Sequence, residues 1–373
     1  MTQYFKNPFE EKPKRLGELF RKRKISRRAF LKYAAWTASV MALPPTMAAT
    51  IAKNLPNARR QSVIWLSFQE CTGCSESFTR TMKPSLESLI FDYVSMDFWH
   101  MLHNSSGEAA EHALEQAMEE NKGKYIVIVE GSIPLGADGA YGMEAGRSNI
   151  DILETTVKNA SLVIAVGSCS AFGGIPYADP NPTGAVPVSE LVKDKPIINL
   201  PGCPPIAEVM TGTLSYILAF NKLPELDHLN RPKSFYGESI HDRCYRRPFY
   251  DQGLFAKSVD DEGARKGWCL YDVGCKGPTT YNSCATMKWN GGVSFPIQSG
   301  HGCLGCSEPD FWDAGSFYKP LGAGKDFGLN SIGVKVIGAT AAGAAVGAVA
   351  ALNARKVKET NYTSALEKKK EEG

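Results

Sequence analysis

Beyond residue 60 the chain alternates between short unbroken apolar runs and longer stretches in which apolar positions recur every three or four residues. The runs are 62–68, 89–98, 124–130, 161–167 and 196–200, rich in β-branched residues. Their length and composition predict strands, and their lack of polar alternation predicts a sheet buried on both sides. Between them, 108–120 and 149–159 carry helical spacing. Strand and helix in alternation predict an α/β fold with a parallel sheet and helices on both faces. From about residue 235 the pattern dissolves, and Gly, Pro, Cys and aromatic residues thicken through 318. Such a stretch has little from which to build a core of its own, unless bound metal replaces it.

The two ends carry apolar segments of another kind. A long basic stretch leads into Ser26-Arg27-Arg28-Ala29-Phe30-Leu31-Lys32, followed by moderately apolar residues 33–47 and small residues around 48–52. That order is the pattern of a twin-arginine export signal. A merely amphipathic or disordered basic tail would not require Arg-Arg, Phe, Leu and Lys at those offsets. The twin-arginine route carries folded proteins, which suits a chain whose metal groups are inserted before export. Near the other end, 336–354 is small, apolar and uncharged, and at 19 residues is long enough to span a bilayer. Gly343 and Gly347 would allow close helix contact there, and Arg355-Lys356-Val357-Lys358 predicts a cytoplasmic C-terminus. The predicted organisation is a signal over 1–50, an α/β domain over 51–234, an irregular domain over 235–320, a linker over 321–334, an anchor over 335–355 and a tail over 356–373.

Charge changes this picture little. The net +3 is concentrated in residues 1–32, which hold eleven Lys/Arg and three Glu and leave 31 basic and 36 acidic residues elsewhere. The basic excess belongs to the export segment, so a nucleic-acid partner has no support.

The chemistry lies in ten cysteines. Cys71 and Cys74 follow the first strand in Gln69-Glu70-Cys71-Thr72-Gly73-Cys74. Cys169 follows the fourth in Gly167-Ser168-Cys169-Ser170, and Cys203 the fifth in Leu200-Pro201-Gly202-Cys203-Pro204-Pro205. The carboxyl ends of parallel strands share one edge, where open α/β sheets bind ligands. Four cysteines distant in sequence are therefore predicted to converge there, with Glu130-Gly131-Ser132-Ile133-Pro134 as a wall. The others, Cys244, Cys269, Cys275, Cys284, Cys303 and Cys306, lie in the irregular region with His241. An exported chain with an even cysteine count could instead be disulfide-bonded. A chain of this size does not need staples, however, and its C-x-x-C pairs in Gly- and Pro-rich loops suit metal. Ten thiols and one imidazole match the ligand count of two 4Fe–4S clusters and one 3Fe–4S cluster.

The segments Glu70-Cys71-Thr72-Gly73-Cys74-Ser75-Glu76-Ser77, Gly167-Ser168-Cys169, Pro201-Gly202-Cys203-Pro204-Pro205, Cys275-Lys276-Gly277-Pro278 and Gly300-His301-Gly302-Cys303-Leu304-Gly305-Cys306 resemble the small subunit of a membrane-bound, periplasm-facing NiFe uptake hydrogenase. The resemblance implies a flavodoxin-like domain, then an iron–sulfur domain and a C-terminal transmembrane helix. It implies Cys71, Cys74, Cys169 and Cys203 as ligands of a proximal 4Fe–4S cluster. His241, Cys244, Cys269 and Cys275 would hold a distal 4Fe–4S cluster, and Cys284, Cys303 and Cys306 a medial 3Fe–4S cluster, with Pro296 where a fourth medial cysteine might sit. An imidazole in place of one thiolate removes negative charge and raises the cluster's potential, other things equal.

The implied partners are a large subunit holding the NiFe centre, a membrane cytochrome b, the quinone pool beyond it and the twin-arginine export machinery. The implied location is the periplasmic side of the cell membrane. No residue here is expected to make or break a substrate bond. Glu76 and Glu130 are candidates for a place near the proximal cluster or for ordinary satisfied polar groups, and His301 has no assigned role. Oxygen-tolerant relatives carry extra cysteines where this chain has Gly73 and Gly174, so the resemblance is to the standard, oxygen-sensitive type. Two alternatives remain at this level: an iron–sulfur protein of another exported oxidoreductase, and a zinc-binding or disulfide-stapled exported protein.

Overall fold

The computed structural model describes residues 15–82, 84–315 and 317–321. The anchor stretch 335–355, the tail 356–373 and nearly all of the linker lie outside the described residues. Among the described residues no helix is long and apolar enough to cross a membrane.

Five strands form the central sheet: β1 (Gln61–Ser67), β2 (Val94–Trp99), β3 (Ile126–Glu130), β4 (Leu162–Val166) and β5 (Ile197–Leu200). They are hydrogen-bonded in the order β2-β1-β3-β4-β5, and every pairing is parallel. This is the flavodoxin-like order, reached through helical crossovers. Side chains alternate between two cores. Val63, Trp65, Ile128 and Ile164 face one side, and Ile64, Leu66, Val127 and Val163 the other. Both sets are buried, which is why the strands read as unbroken apolar runs.

The second face is covered by α5 (Glu108–Glu120) and α6 (Asn149–Val157). The first is covered by α4 (Gly73–Thr79) and α8 (Ala207–Phe220). One expectation needs correction. The run 89–98 is not one strand, because Leu89–Tyr93 forms a wide helical turn before β2 begins. Tyr93 is buried against the N-terminal segment there, so tertiary packing overrides strand propensity. The described residues of the expected export segment and the start of the next domain form α1 (Leu16–Lys22), α2 (Arg27–Val40) and α3 (Met47–Asn54), and Leu16 and Ala34, with Ile51 and Leu55, join the core beside α8. Ser26 caps α2 through Ala29 N–H at 3.2 Å.

α7 (Gly167–Phe172) leaves β4 directly. Among the described residues beyond 232 the backbone consists of turns and helices of three to five residues. Its buried residues Phe235, Tyr236, Ile240, Leu270, Phe295 and Ile297 belong to the same apolar cluster as the first sheet face. The two regions are also joined by Arg231, which is only 2% exposed. Its guanidinium donates to Asp227 at 2.8 Å, to Glu308 at 2.9 Å and to the Ser307 carbonyl at 3.1 Å. It also lies over the rings of Tyr236 and Tyr281.

Removing one partner of a buried ion pair leaves the other uncompensated, at a cost of about 3–5 kcal/mol. Arg231→Ala and Arg231→Met are both expected to lose stability of that order in denaturant unfolding of the full chain, because either leaves Asp227 and Glu308 without their cation. A distinctly smaller loss for Arg231→Met, which keeps the apolar bulk, would mean that packing, rather than charge pairing, makes this joint.

Candidate metal centres

The first group of thiols forms where β1, β4 and β5 end. After β1 the chain bridges Gln69 to Ser132 through paired backbone hydrogen bonds of 3.1 Å. It then turns through Thr72, whose φ is +67°, into α4. Cys71 is exposed before this turn, and Cys74 is partly buried inside it. α4 is seated by aromatic packing. Phe78 lies 5.0 Å from Trp65 and 5.8 Å from Trp99, and the two indoles stack at 5.0 Å.

Glu130, the last residue of β3, is 1% exposed and organises this turn. One carboxylate oxygen accepts the backbone N–H of Cys74 at 3.0 Å and that of Ser75 at 3.1 Å. The other accepts the Ser75 hydroxyl and the Trp65 indole. The Trp99 indole in turn donates to Ser75 Oγ at 3.2 Å. A carboxylate with four donors is a satisfied buried group, and it fixes the backbone on both sides of the Cys74 side chain. Glu76 is by contrast exposed and paired with Arg80.

Gly167 shows how closely the next loop approaches. A Cβ there would stand 2.4 Å from the Cys74 sulfur. Cys169 follows on α7, and Ser168 ties its loop to the others. Ser168 N–H donates to the Gly202 carbonyl at 3.0 Å, and Gly202 N–H returns a bond to Ser168 Oγ at 3.0 Å. The Ser168 hydroxyl donates in turn to the Cys306 carbonyl. Cys71, Cys74, Cys169 and Cys203 therefore face one space, close enough for the other three thiols to act on that of Cys74 electrostatically. A side chain at Gly73 would point at the Cys71 sulfur, and one at Gly174 would run into Cys169.

The second group lines a pocket bounded by His241, Cys244, Cys269 and Cys275, together with Arg246, Arg247, Leu270, Gly277 and Ile297. The His241 ring meets Tyr250 edge-on at 4.5 Å. Burial, and then the Arg247 cation, lower the His241 pKa below the usual 6.5, favouring the neutral imidazole that can ligate a metal. His301 stays apart, with Nδ1 donating to the Gly302 carbonyl at 2.8 Å.

Cys284, Cys303 and Cys306 form the third group, in which Cys306 acts electrostatically on both others. Pro296 closes the turn before it by accepting the N–H groups of Ser299 and His301, each at 3.0 Å. This group stands between the other two. The Cys203 backbone N–H reaches the Cys306 sulfur, and Cys303 N–H donates to Cys275 Sγ at 3.3 Å. Tyr236 lies beside the Cys284 and Cys306 thiols and donates to the Pro201 carbonyl at 2.8 Å. Lys276, next to Cys275, binds the Cys303 carbonyl through its own N–H at 2.8 Å and the Lys319 carbonyl through Nζ at 2.6 Å.

All ten cysteines stand as free thiols. Among the described residues no three donors gather on one point as a tetrahedral zinc site requires. The thiols instead ring spaces. Burial is the largest cause of the raised pKa at the buried thiols, with neighbouring thiols, and Glu130 at Cys74, adding to it: Cys169 and Cys306 rise to about 12, and Cys74 and Cys303 well above 9.0. A set of thiolates is stable there only beside a compensating polycation. The donor set therefore fits iron–sulfur clusters, whose irons keep cysteine ionised.

Arg231 and Tyr236 carry no sequence signal as parts of these sites, and Ser168 and Lys276 are marked only as members of cysteine motifs, not by the contacts they make. They are ordinary residue types whose role is set by burial or by partners that local sequence does not reveal.

In an iron-free, reduced chain, folding holds these thiols protonated. That contribution is complete below the ordinary thiol pKa of 9.0 and is lost as pH rises through the folded values, toward about 12. Alkaline titration followed by circular dichroism is expected to unfold the iron-free chain across this window and to disturb the iron-loaded chain far less. Coincident profiles would mean that iron does not compensate these sulfurs.

The family model for the C-terminal part of the "NiFe/NiFeSe hydrogenase small subunit" matches residues 236–319. A second, "NADH ubiquinone oxidoreductase, 20 Kd subunit", matches 71–217. The uptake hydrogenase small subunit of Azotobacter vinelandii is 50% identical over 91% of this chain and 95% of its own length. That of Cupriavidus necator is 49% identical over 94% and 98%. The structure of the reduced, active Ni-Fe-Se hydrogenase from Desulfomicrobium baculatum is matched at a TM-score of 0.65 and 34% identity, covering 70% of this chain and 100% of that one. With three thiol-rich groups strung from a sheet edge and this identity over nearly the full length of curated relatives, the chain belongs to the NiFe hydrogenase small-subunit family.

Proposed function

We propose that this chain is the electron-transfer subunit of a periplasm-facing uptake hydrogenase, relaying electrons from dihydrogen oxidation toward a membrane cytochrome b and quinone. The observation that carries the reading is the order of the three donor groups. The Cys306–Cys203 and Cys275–Cys303 contacts make them a continuous series from the sheet edge to the His241 pocket. Cys71, Cys74, Cys169 and Cys203 would hold the proximal 4Fe–4S cluster. Cys284, Cys303 and Cys306 would hold the medial 3Fe–4S cluster, and His241, Cys244, Cys269 and Cys275 the distal 4Fe–4S cluster. Such clusters, when bound, accept and release single electrons.

The chain's own contribution is to hold, space and shield them. Glu130 fixes the Cys74 turn, Ser168 ties the proximal loops to the medial one, and Lys276 joins the medial and distal loops by a backbone bond. All ten cysteines are used in this reading, so the NiFe centre belongs to a large subunit. That subunit would cover the proximal edge, where exposed Leu135, Tyr141, Met143, Ile175 and Tyr177 surround the β3 and α7 loops. The twin-arginine segment would direct export of the folded protein, with 335–355 as anchor and 356–373 on the cytoplasmic side.

Gly73 and Gly174 leave no extra thiol beside the Cys71 and Cys169 sulfurs. Cys71, Cys74, Cys169 and Cys203 alone would then hold the proximal group, as an ordinary 4Fe–4S cluster with two redox states, in an oxygen-sensitive enzyme. Affinity purification from membranes is expected to bring down a larger, nickel-containing chain with hydrogen-uptake activity, and iron and sulfide in this one. Intact clusters without hydrogen uptake would overturn the hydrogenase assignment. Redox-titrated EPR is expected to show no third, superoxidised proximal state, and finding one would overturn the oxygen-sensitive assignment.

A further inference from the structure

The N-terminal helices occupy a surface that the body of the protein cannot leave bare. α8 carries one charged residue, Glu208, and ten of its fourteen positions are buried. A helix covered on a single side buries about half its residues, whereas one that is apolar all round needs cover on both. Met210 and Leu214 pack inward against Trp65 and Phe78. Gly212 and Ser215 lie on the other side, where α2 supplies the cover. A Cβ at Gly212 would stand 2.8 Å from Val40, and the Tyr33 hydroxyl donates to Ser215 Oγ at 2.6 Å. Tyr33 also stacks on Tyr93 at 4.2 Å, and Ala34, Thr37 and Ala38 are buried in the same contact. Arg27 and Arg28 remain exposed. The docked form thus displays the paired arginines but hides the apolar half of the segment that follows them.

We infer that the outer face of α8, with Tyr93, is a docking surface for the large subunit, and that the N-terminal segment is its placeholder. This rests on reading that segment as a removable export signal and the chain as one partner of a heterodimer. Removal of the segment would expose a largely uncharged face of the kind found at obligate interfaces. The face is continuous with the proximal edge, because α8 packs on α4 and Ser77 Oγ of α4 donates to the Pro205 carbonyl at 2.6 Å, just ahead of α8. A subunit seated over the proximal thiols reaches it without a gap. Occupancy is then exclusive: arrival of the large subunit releases residues 33–41, and the apolar half of the signal becomes available only on an assembled complex.

Hydrogen exchange on the full-length, cluster-loaded chain tests this, alone and after addition of the large subunit. The amides of 33–41 are expected to be protected in the isolated chain and to lose protection in the heterodimer. Ala38→Asp, which places a charge in the docked face, is expected to remove protection in the isolated chain. If the segment is docked about nine-tenths of the time, Ala38→Asp also tightens large-subunit binding about tenfold, since apparent affinity scales with the competent fraction. Tyr33→Phe, which loses only the bond to Ser215, is expected to shift both readouts in the same direction by less. A heterodimer that leaves 33–41 protected overturns the inference while sparing the hydrogenase assignment. So does an unprotected Ala38→Asp chain that binds with unchanged affinity. Failure to form any nickel-containing heterodimer overturns the underlying reading instead.

Discussion

Buried sulfur is the constraint on which the rest of this structure depends. A thiolate in an apolar interior is unfavourable, and several close together are more so. The raised thiol pKa values at all three groups express that cost. A polycation resolves it by holding every sulfur ionised, and its binding free energy becomes folding free energy. This accounts for the texture of the chain beyond residue 232, where among the described residues no helix exceeds five residues. The region borrows apolar cover from the first sheet face and relies on its sulfur-lined spaces for the remainder.

The sheet solves a different problem, that of position. Parallel strands bring residues 71, 74, 169 and 203 to one edge, but they place loops rather than atoms. Final placement falls to a few polar groups held in dry surroundings. Glu130 captures two backbone N–H groups at the Cys74 turn, and Arg231 captures two carboxylates and a carbonyl between the two regions. Each is worth little as a bond in water and much where nothing else can satisfy its partners. The same reasoning explains the stacked Trp65 and Trp99. They provide apolar bulk under α4, while both indole N–H groups feed the network around Glu130 and Ser75.

Much of this is legible in the sequence because it follows from local pattern. Apolar runs mark four strands nearly to their ends, and the helical spacing of 108–120 coincides with α5. Convergence of four cysteines follows from strand direction alone. What the sequence hides is non-local. Leu89–Tyr93 looks like a strand, yet Tyr93 is claimed by Tyr33, sixty residues earlier in the chain. The N-terminal segment reads as an address label, and only tertiary contact reveals it as a packing element. Glu130 is visible as a polar residue ending an apolar run, but its partners at 74 and 75 carry no mark of the pairing. Ser168 is still less visible, a serine beside a cysteine.

Ser168 has a consequence of its own. Its hydroxyl and backbone join the loops carrying Cys169, Cys203 and Cys306 at one point. Electron tunnelling weakens exponentially with separation, so a relay of fixed centres is sensitive to length before it is sensitive to chemistry. A residue that ties both sides of a gap to one oxygen removes a degree of freedom from that length. In the proposed relay, thermal motion of the sheet edge would carry the proximal and medial centres together, and the spacing between them would be buffered against the movement of the protein around them.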